Sequence, residues 1–300
     1  MAIEAPLSRL APLMLFAVAL AACDAGAGGP AESVARPDDG RAGTATSILN
    51  AGIVTEMGGG QQGFVKFLFD PLYDEHYGTL EVLTPEMIEA IVSGAPPYDG
   101  VAAVFITHAH GDHLSEKHTI RLMEAQPDVL LIAPEQVFEA LRKEPGWRES
   151  FEERSTSIAL TNGKASAPFV IAGATVEAFQ SPHNGWPERH THIDNLTFRV
   201  AFPAGEGRTA RIMHMGDADP DPQHFAELEG FLKASRTGLA VVPFWQYREE
   251  EFDALLDVTF NAQKAVAVHV PAKTPAFLEE GSRPYFSEAG EEQAIPSVEE

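Results

Sequence analysis

Thr107-His108-Ala109-His110-Gly111-Asp112-His113-Leu114 sets three imidazoles and a carboxylate within six positions, directly behind the apolar run Val101–Ile106. That run has the length and composition of a buried strand, so the cluster is delivered at a strand's end. In an extended backbone alternate side chains point the same way, which lets His108 and His110 grip one ion. Gly111 then turns the chain, and Asp112 and His113 face a second point in space. Neutral imidazole and carboxylate are the donors that borderline divalent cations such as zinc prefer. The bland alternative is a polar, solvated, His-rich loop, and later parts of the chain argue against it.

The pattern His-x-His-x-Asp-His behind a hydrophobic strand resembles the signature of the metallo-β-lactamase superfamily. The rest of that family's donor set is matched in chain order. Asp70 closes Phe67-Leu68-Phe69-Asp70, and His183 closes Gln180-Ser181-Pro182-His183 behind Phe169–Phe179. Asp217 sits in His214-Met215-Gly216-Asp217 behind Ala210–Met213, and His269 in Val266-Ala267-Val268-His269-Val270-Pro271. The resemblance spans residues 45–272. Single matches such as Ser-Pro-His or Gly-Asp mean nothing alone; the ordered set carries the weight.

The resemblance implies an α/β fold of four layers, an αββα sandwich. It also implies that His108, His110 and His183 hold one metal, that Asp112, His113 and His269 hold a second, and that Asp217 bridges them. Two divalent ions are expected, Zn2+ foremost, with Mn2+ or Fe2+ as alternatives. The implied activity is a dinuclear hydrolase using a metal-bridging hydroxide on a small ester, lactone or phosphodiester. Asp112 and Asp217 are then the catalytic carboxylates, Asp112 also taking up a proton as the intermediate collapses. Asp70 is expected behind the ligands, orienting their loop. Genuine β-lactamases of this superfamily carry Cys or Ser where Asp217 stands, which points away from antibiotic cleavage. The blocks Met215-Gly216-Asp217-Ala218-Asp219 and Val242–Trp245 are similar to the branch containing L-ascorbate phosphate lactonase, and to some phospholipid-cleaving phosphodiesterases. Two other classes compete: a mononuclear iron enzyme oxidising persulfide sulfur, and a non-catalytic metal-binding lipoprotein. The full donor set disfavours both.

The loop Asn184–Asp194 follows His183 and carries Trp186, His190 and His192. It reads equally as a substrate wall with an auxiliary donor or as a solvated loop. Asn195, opening the next strand, is either an oxyanion donor or a turn residue. His214 reads as a satisfied structural histidine, His118 as a helix-surface residue, and His76 and His224 as surface. Phe244, Trp245 and Tyr247 default to core packing.

Leu10–Ala22 is too short to span a bilayer and suits a signal-peptide core. It ends in Leu20-Ala21-Ala22-Cys23, similar to a bacterial lipobox, with Cys23 the lipidated residue. Cys23 is the only cysteine, so no intrachain disulfide forms. The expected organisation is a signal peptide over 1–22, a flexible Gly/Ala/Pro tether over 23–46, the catalytic domain over 47–278 and an acidic solvated tail over 279–300, in which Tyr285 and Phe286 dock if anything does. The location implied is the bacterial cell envelope, facing the periplasm. With 21 Lys and Arg against 44 Asp and Glu, the net charge is −23. That excludes a nucleic-acid backbone as partner and makes electrostatic attachment to anionic lipid unfavourable, leaving the acyl anchor and a small-molecule substrate. Oligomeric state is not legible.

Strand-like runs are expected at Ser47–Glu56 and Gly63–Asp70, joined by a turn at Gly58-Gly59-Gly60. Further strands are expected at Asp128–Ala133 and near 169–180, 196–203, 209–214, Leu239–Pro243 and Ala265–Val270. Helices are expected over Thr84–Val92, with Thr84 as N-cap and Pro85 at the first position, over Ser115–Ala125 and Glu135–Lys143, and near 222–234 and 248–259.

Overall fold

The structure, a computed structural model, describes residues 41–59 and 63–299. The leader, Cys23 and the tether as far as residue 40 lie outside the described residues. Thirteen strands and seven helices follow one another through the rest. The first half contains β1 (Arg41–Leu49), β2 (Gly52–Gly58), β3 (Phe64–Phe69), α1 (Pro85–Ser93), β4 (Val101–Phe105), α2 (Glu116–Ala125), β5 (Leu130–Pro134), α3 (Glu135–Leu141), α4 (Glu149–Glu152) and β6 (Ser155–Ile158). The second contains β7 (Phe169–Ile171), β8 (Ala174–Gln180), β9 (Leu196–Gly205), β10 (Arg208–His214), α5 (Glu229–Lys233), β11 (Thr237–Pro243), α6 (Phe252–Ala254), β12 (Ala262–Val268), α7 (Ala276–Glu279) and β13 (Glu292–Glu299).

The strands run β6-β5-β4-β3-β2-β1-β13-β10-β9-β8-β7, with β11 and β12 branching from β10. Two sheets are thus stitched together by β13. Its first half pairs with β1 (Thr46↔Glu292 to Arg41↔Pro296) and its last residues with β10 (Ala210↔Ser297 to Arg208↔Glu299). Pro296 stands where the partner changes, a position at which its missing N–H does least harm to a ladder. The acidic tail is therefore corrected over 292–299: Ile295 and Val298 are buried among the strands. Main-chain pairing binds this segment, and glutamates at its ends stay in water, so composition hid it. The tether is likewise shorter than expected, because β1 starts at Arg41.

Side-chain alternation fills three apolar layers. Phe67, Phe69, Ala103, Phe105, Leu239 and Val241 face the other sheet. The intervening Leu68 and Val104 pack under α1, α2 and α3 with Ile91, Leu122 and Phe138. Ala240 and Val242 pack outward on Phe225, Leu232 and Phe252. Strands buried on both faces read as continuous apolar runs, as β11 does. Three apolar layers between two sheets and their outer helices make the four-layer αββα sandwich. Phe105 ties the sheets together, with ring centroids 4.9 Å from Phe69 and 5.0 Å from Phe198.

Thr84 caps α1 by accepting from the Met87 N–H, and Pro85 opens the helix. Three expectations are revised. Ser47–Glu56 is not one strand but the β1–β2 hairpin, turned at Asn50, which takes the left-handed φ of 51° that asparagine tolerates. The region 222–234 divides into a 3-10 turn (Pro222–Leu228) and α5. The region 248–259 divides into a 3-10 end, α6 and a π turn (Leu255–Thr259).

β3 to β6 are mutually parallel, and so are β10 to β12, with β8 running the same way because β9 is antiparallel to both β8 and β10. Asp70, the His108–His113 loop, His183, Asp217 and His269 all follow the C-terminal ends of such strands. Loops at those ends are where α/β sheets assemble sites.

Candidate metal centre

Two overlapping groups of donors converge there. One donor atom each from His108, His110, His183 and Asp217 lies within 4.8 Å of the others, and the same holds for Asp112, His113, Asp217 and His269. Asp217 belongs to both. Its Oδ1 lies 3.1 Å from His113 Nε2, and its Oδ2 lies 3.4 Å from His183 Nε2 and 3.5 Å from His269 Nε2. His108 Nε2 and His110 Nδ1 approach to 3.1 Å, and His269 Nε2 lies 2.9 Å from Asp112 Oδ2. All seven expected donors are brought together.

Hydrogen bonds behind them set which ring atom faces inward. His113 Nδ1 donates to Asp70 Oδ2 at 2.8 Å and His183 Nδ1 donates to the Asn184 carbonyl at 3.1 Å. A carboxylate or carbonyl only accepts, so each Nδ1 carries the proton and each Nε2 turns a lone pair to the centre. Asp70, fully buried, also accepts from the Thr107 N–H at 2.8 Å and the Thr107 hydroxyl at 2.7 Å. It touches no other group of the centre, in keeping with an orienting role.

Asp70, Asp112 and Asp217 are buried, and their ion-pair partners are all histidines. Three carboxylates out of water without a full positive charge would be expensive. Burial pushes His108 well below its ordinary value, and burial together with neighbouring His183 pushes His110 down to about 4. At His113 burial opposes the charge, but Asp217, Asp70 and Asp112 outweigh it and raise the group. His269 is raised against the same burial by Asp217 and Asp112. Burial would raise Asp112 and Asp217, yet the imidazoles hold both low. A field that would keep protons on imidazoles attracts a cation equally well. Asp112 Oδ1, His113 Nε2, His183 Nε2 and Asp217 Oδ1 are buried without a hydrogen bond. Unpaired donor atoms aimed at common points, beside uncompensated carboxylates, fit divalent cations.

Backbone strain gathers here. Asp70 has φ 42° and His269 φ 62°, conformations costing about 1–3 kcal/mol each in non-glycine residues. Surrounding bonds hold them: the Asp70 N–H donates to Phe105 O at 2.9 Å, and the His269 N–H to Asn50 O at 2.9 Å. Gly216, at φ 53°, admits no side chain, since a Cβ would stand 2.5 Å from Asn195 Oδ1 and 2.8 Å from Thr107 Oγ1.

Asn195 is not on the substrate side. It is fully buried, donates to Met215 O at 3.2 Å and accepts from the Asp217 N–H at 2.9 Å. Its amide is spent on placing Asp217, so neither the oxyanion nor the turn reading describes it. His190 does reach the centre, its ring 4.7 Å from His183 and 5.1 Å from His110. Trp186 is half-buried in the same loop, whereas His192 is exposed and contributes its carbonyl to Gln136. The loop is clamped at its start by Gly185 N–H to Asp219 Oδ2 (2.9 Å) and at its end by Asp194 N–H to Gln136 Oε1 (3.0 Å). His214 is structural, its Nε2 on Ala51 O at 2.8 Å and its ring stacked on Phe69. His118 lies between Asp74 and Arg121, away from the donors, and His76 is exposed. His224 is half-buried against Asp219 at 3.3 Å and not simply surface, since the turn after β10 folds back on it. Trp245 packs its ring 5.2 Å from His269 and donates to Ala218 O.

Two supporting residues escaped the sequence reading. Asn50 Nδ2 donates to Asp112 O at 2.7 Å while its carbonyl holds the His269 N–H, so one turn residue braces two donors. Asn50-Ala51-Gly52 carries turn chemistry, a signal of its conformation but not of its target. Thr107, directly before His108, links Asp70 to both His108 (3.0 Å) and His113 (3.4 Å).

Comparison with known proteins places this geometry. The family described as "Beta-lactamase superfamily domain" matches residues 66–288, well over half of the chain. Among solved structures, a novel metallo hydrolase, Igni18, from the hyperthermophilic archaeon Ignicoccus hospitalis is 15% identical with a TM-score of 0.54, over 86% of this chain and 98% of that one. Zn(2+)-bound PqqB from Methylobacterium extorquens is 13% identical with a TM-score of 0.46, over 81% and 87%. At such identities the first likeness speaks to the fold alone, and the second carries no argument. No curated protein matches. With the family matched across both sheets and both donor groups, the chain belongs to the β-lactamase superfamily and is a metal-dependent hydrolase of its metallo type.

Proposed function

We propose that the centre takes two divalent ions, zinc by preference, and hydrolyses a small ester, lactone or phosphodiester. His108, His110 and His183 would hold one ion, Asp112, His113 and His269 the other, and Asp217 would be shared. The supporting observation is Asp217 itself, with one oxygen beside His113 and the other beside His183 and His269. Ions bound there would supply Lewis acidity, lowering the pKa of a water toward about 7 and offsetting negative charge on the substrate. The chain does the rest. Asp217 and Asp112 are held ionised before attack, and Asp112 would take up a proton as the intermediate collapses. Asp70 keeps the His113 proton on Nδ1. The clamped loop with His190 and Trp186 walls one side of the substrate's approach and limits bulk water.

Metal analysis of the full chain tests this. About two ions per chain are expected, with turnover of chromogenic esters, lactones or phosphodiesters lost on chelation and restored by zinc. One iron per chain with persulfide oxidation, or intact hydrolysis at near-zero metal, would overturn it. We further propose that Cys23 is acylated and tethers the domain to the bacterial envelope, facing the periplasm. The apolar Leu10–Ala22 and the Leu20-Ala21-Ala22-Cys23 ending support that reading. No helix of the described residues is long and apolar enough to cross a membrane. Labelled palmitate should enter the wild type and not Cys23→Ala.

A further inference from the structure

The segment between β3 and α1 passes over the donor loop. The Asp74 and Glu75 N–H groups both donate to Gly111 O, at 3.0 and 2.9 Å, between His110 and Asp112. A Cβ on Gly111 would stand 2.6 Å from Glu75 Cγ, so the two loops touch. Ser115, which caps α2, donates to Asp74 Oδ2 at 2.5 Å. On the other side the Ala272 N–H, three residues after His269, donates to Thr79 O at 2.8 Å. The loop is thus pinned to the donor motif at one end and to the His269 segment at the other.

Tyr77 stands between those pins. Its backbone takes the left-handed φ of 48°, and the residue is 61% exposed. Thr79 and Leu80 N–H groups both close on His76 O at 2.9 Å, which holds the tight turn. A bulky residue in that conformation is costly, and glycine follows at Gly78. Neither the ring nor the hydroxyl of Tyr77 has a partner among the described residues. Burial first, then Asp112, Glu75 and Asp217, raise its phenol. An exposed aromatic ring on a rigid mount beside a reactive centre is a ready contact surface for an apolar group at low entropic cost.

We propose that Tyr77 is a specificity-determining residue whose ring packs on an apolar, preferably aryl, group attached to the scissile ester, from the side of the Gly111 and His269 segments. This rests on the hydrolase reading and narrows it to substrates with such a group.

The test uses zinc-loaded full-length protein and two mimics with a carbon–phosphorus bond and no scissile ester, phenylphosphonate and ethylphosphonate, with binding measured by calorimetry. Wild type should favour the phenyl compound about tenfold. Tyr77→Ala should lose that preference while keeping wild-type zinc content, and Tyr77→Phe should retain it. Equal binding of both compounds by wild type, an undiminished preference in Tyr77→Ala, or a loss in Tyr77→Phe as large as in Tyr77→Ala would overturn the role of the ring. Those results leave the hydrolase reading intact. Failure of both compounds to bind zinc-loaded wild type would sink the two together.

Discussion

Replacing Asp70 by Asn changes one atom in a fully buried side chain that never reaches the centre, yet it should disable the metal site. Asp70 receives three donors: the Thr107 N–H on Oδ1, and the Thr107 hydroxyl and His113 Nδ1 on Oδ2. Asparagine offers one acceptor and one donor atom, so either orientation sets an NH2 against an N–H. If the NH2 faces Thr107, a backbone donor that cannot move is orphaned. If it faces His113, relief requires moving the imidazole proton from Nδ1 to Nε2, the atom aimed at Asp217. Losing a charge-assisted bond and orphaning a buried donor costs about 1.5–3 kcal/mol. Disrupting such an outer partner costs about 10–100-fold in metal affinity. The same change removes one of three buried carboxylates, so metal-free protein should melt no lower than wild type. Competition titration with a zinc chelator reads the affinity, calorimetric melting with and without zinc separates the two effects, and 15N spectra report the His113 tautomer. Zinc affinity within twofold of wild type, or a metal-free melting point clearly below wild type, would refute this account of Asp70.

Gly216→Ala forces a Cβ to 2.5 Å from Asn195 Oδ1 in a left-handed backbone, and should destabilise the fold by about 3 kcal/mol, lowering Tm by about 6–12 °C in thermal melts. Asn50→Ala removes the 2.7 Å bond to Asp112 O, so under the proposed two-ion centre metal analysis should show the ion assigned to Asp112, His113 and His269 lost before the other. A chain ending at Gly290 lacks β13, the strand paired to both sheets, and should be insoluble or lack a cooperative melt; an unchanged Tm would show the seam to be dispensable.

Sequence alone was enough for the fold class, and it singled out the seven candidate donors that the structure brings together. His108, His110, Asp112 and His113 follow a strand in a spacing few other uses explain, and Asp70, His183, Asp217 and His269 each terminate an apolar run whose alternation is local chemistry. Local chemistry also marked Thr84 as a cap and the buried runs of β4 and β11. Tertiary structure decided what depends on distant partners. Residues 292–299 look like solvated tail until β1 and β10 supply the main-chain partners that make them a strand. Asn195, Asn50 and Tyr77 carry no distinguishing spacing. The roles of the two asparagines, and the one proposed for Tyr77, come from what distant segments bring beside them, a property of convergence in space that no stretch of chain encodes by itself.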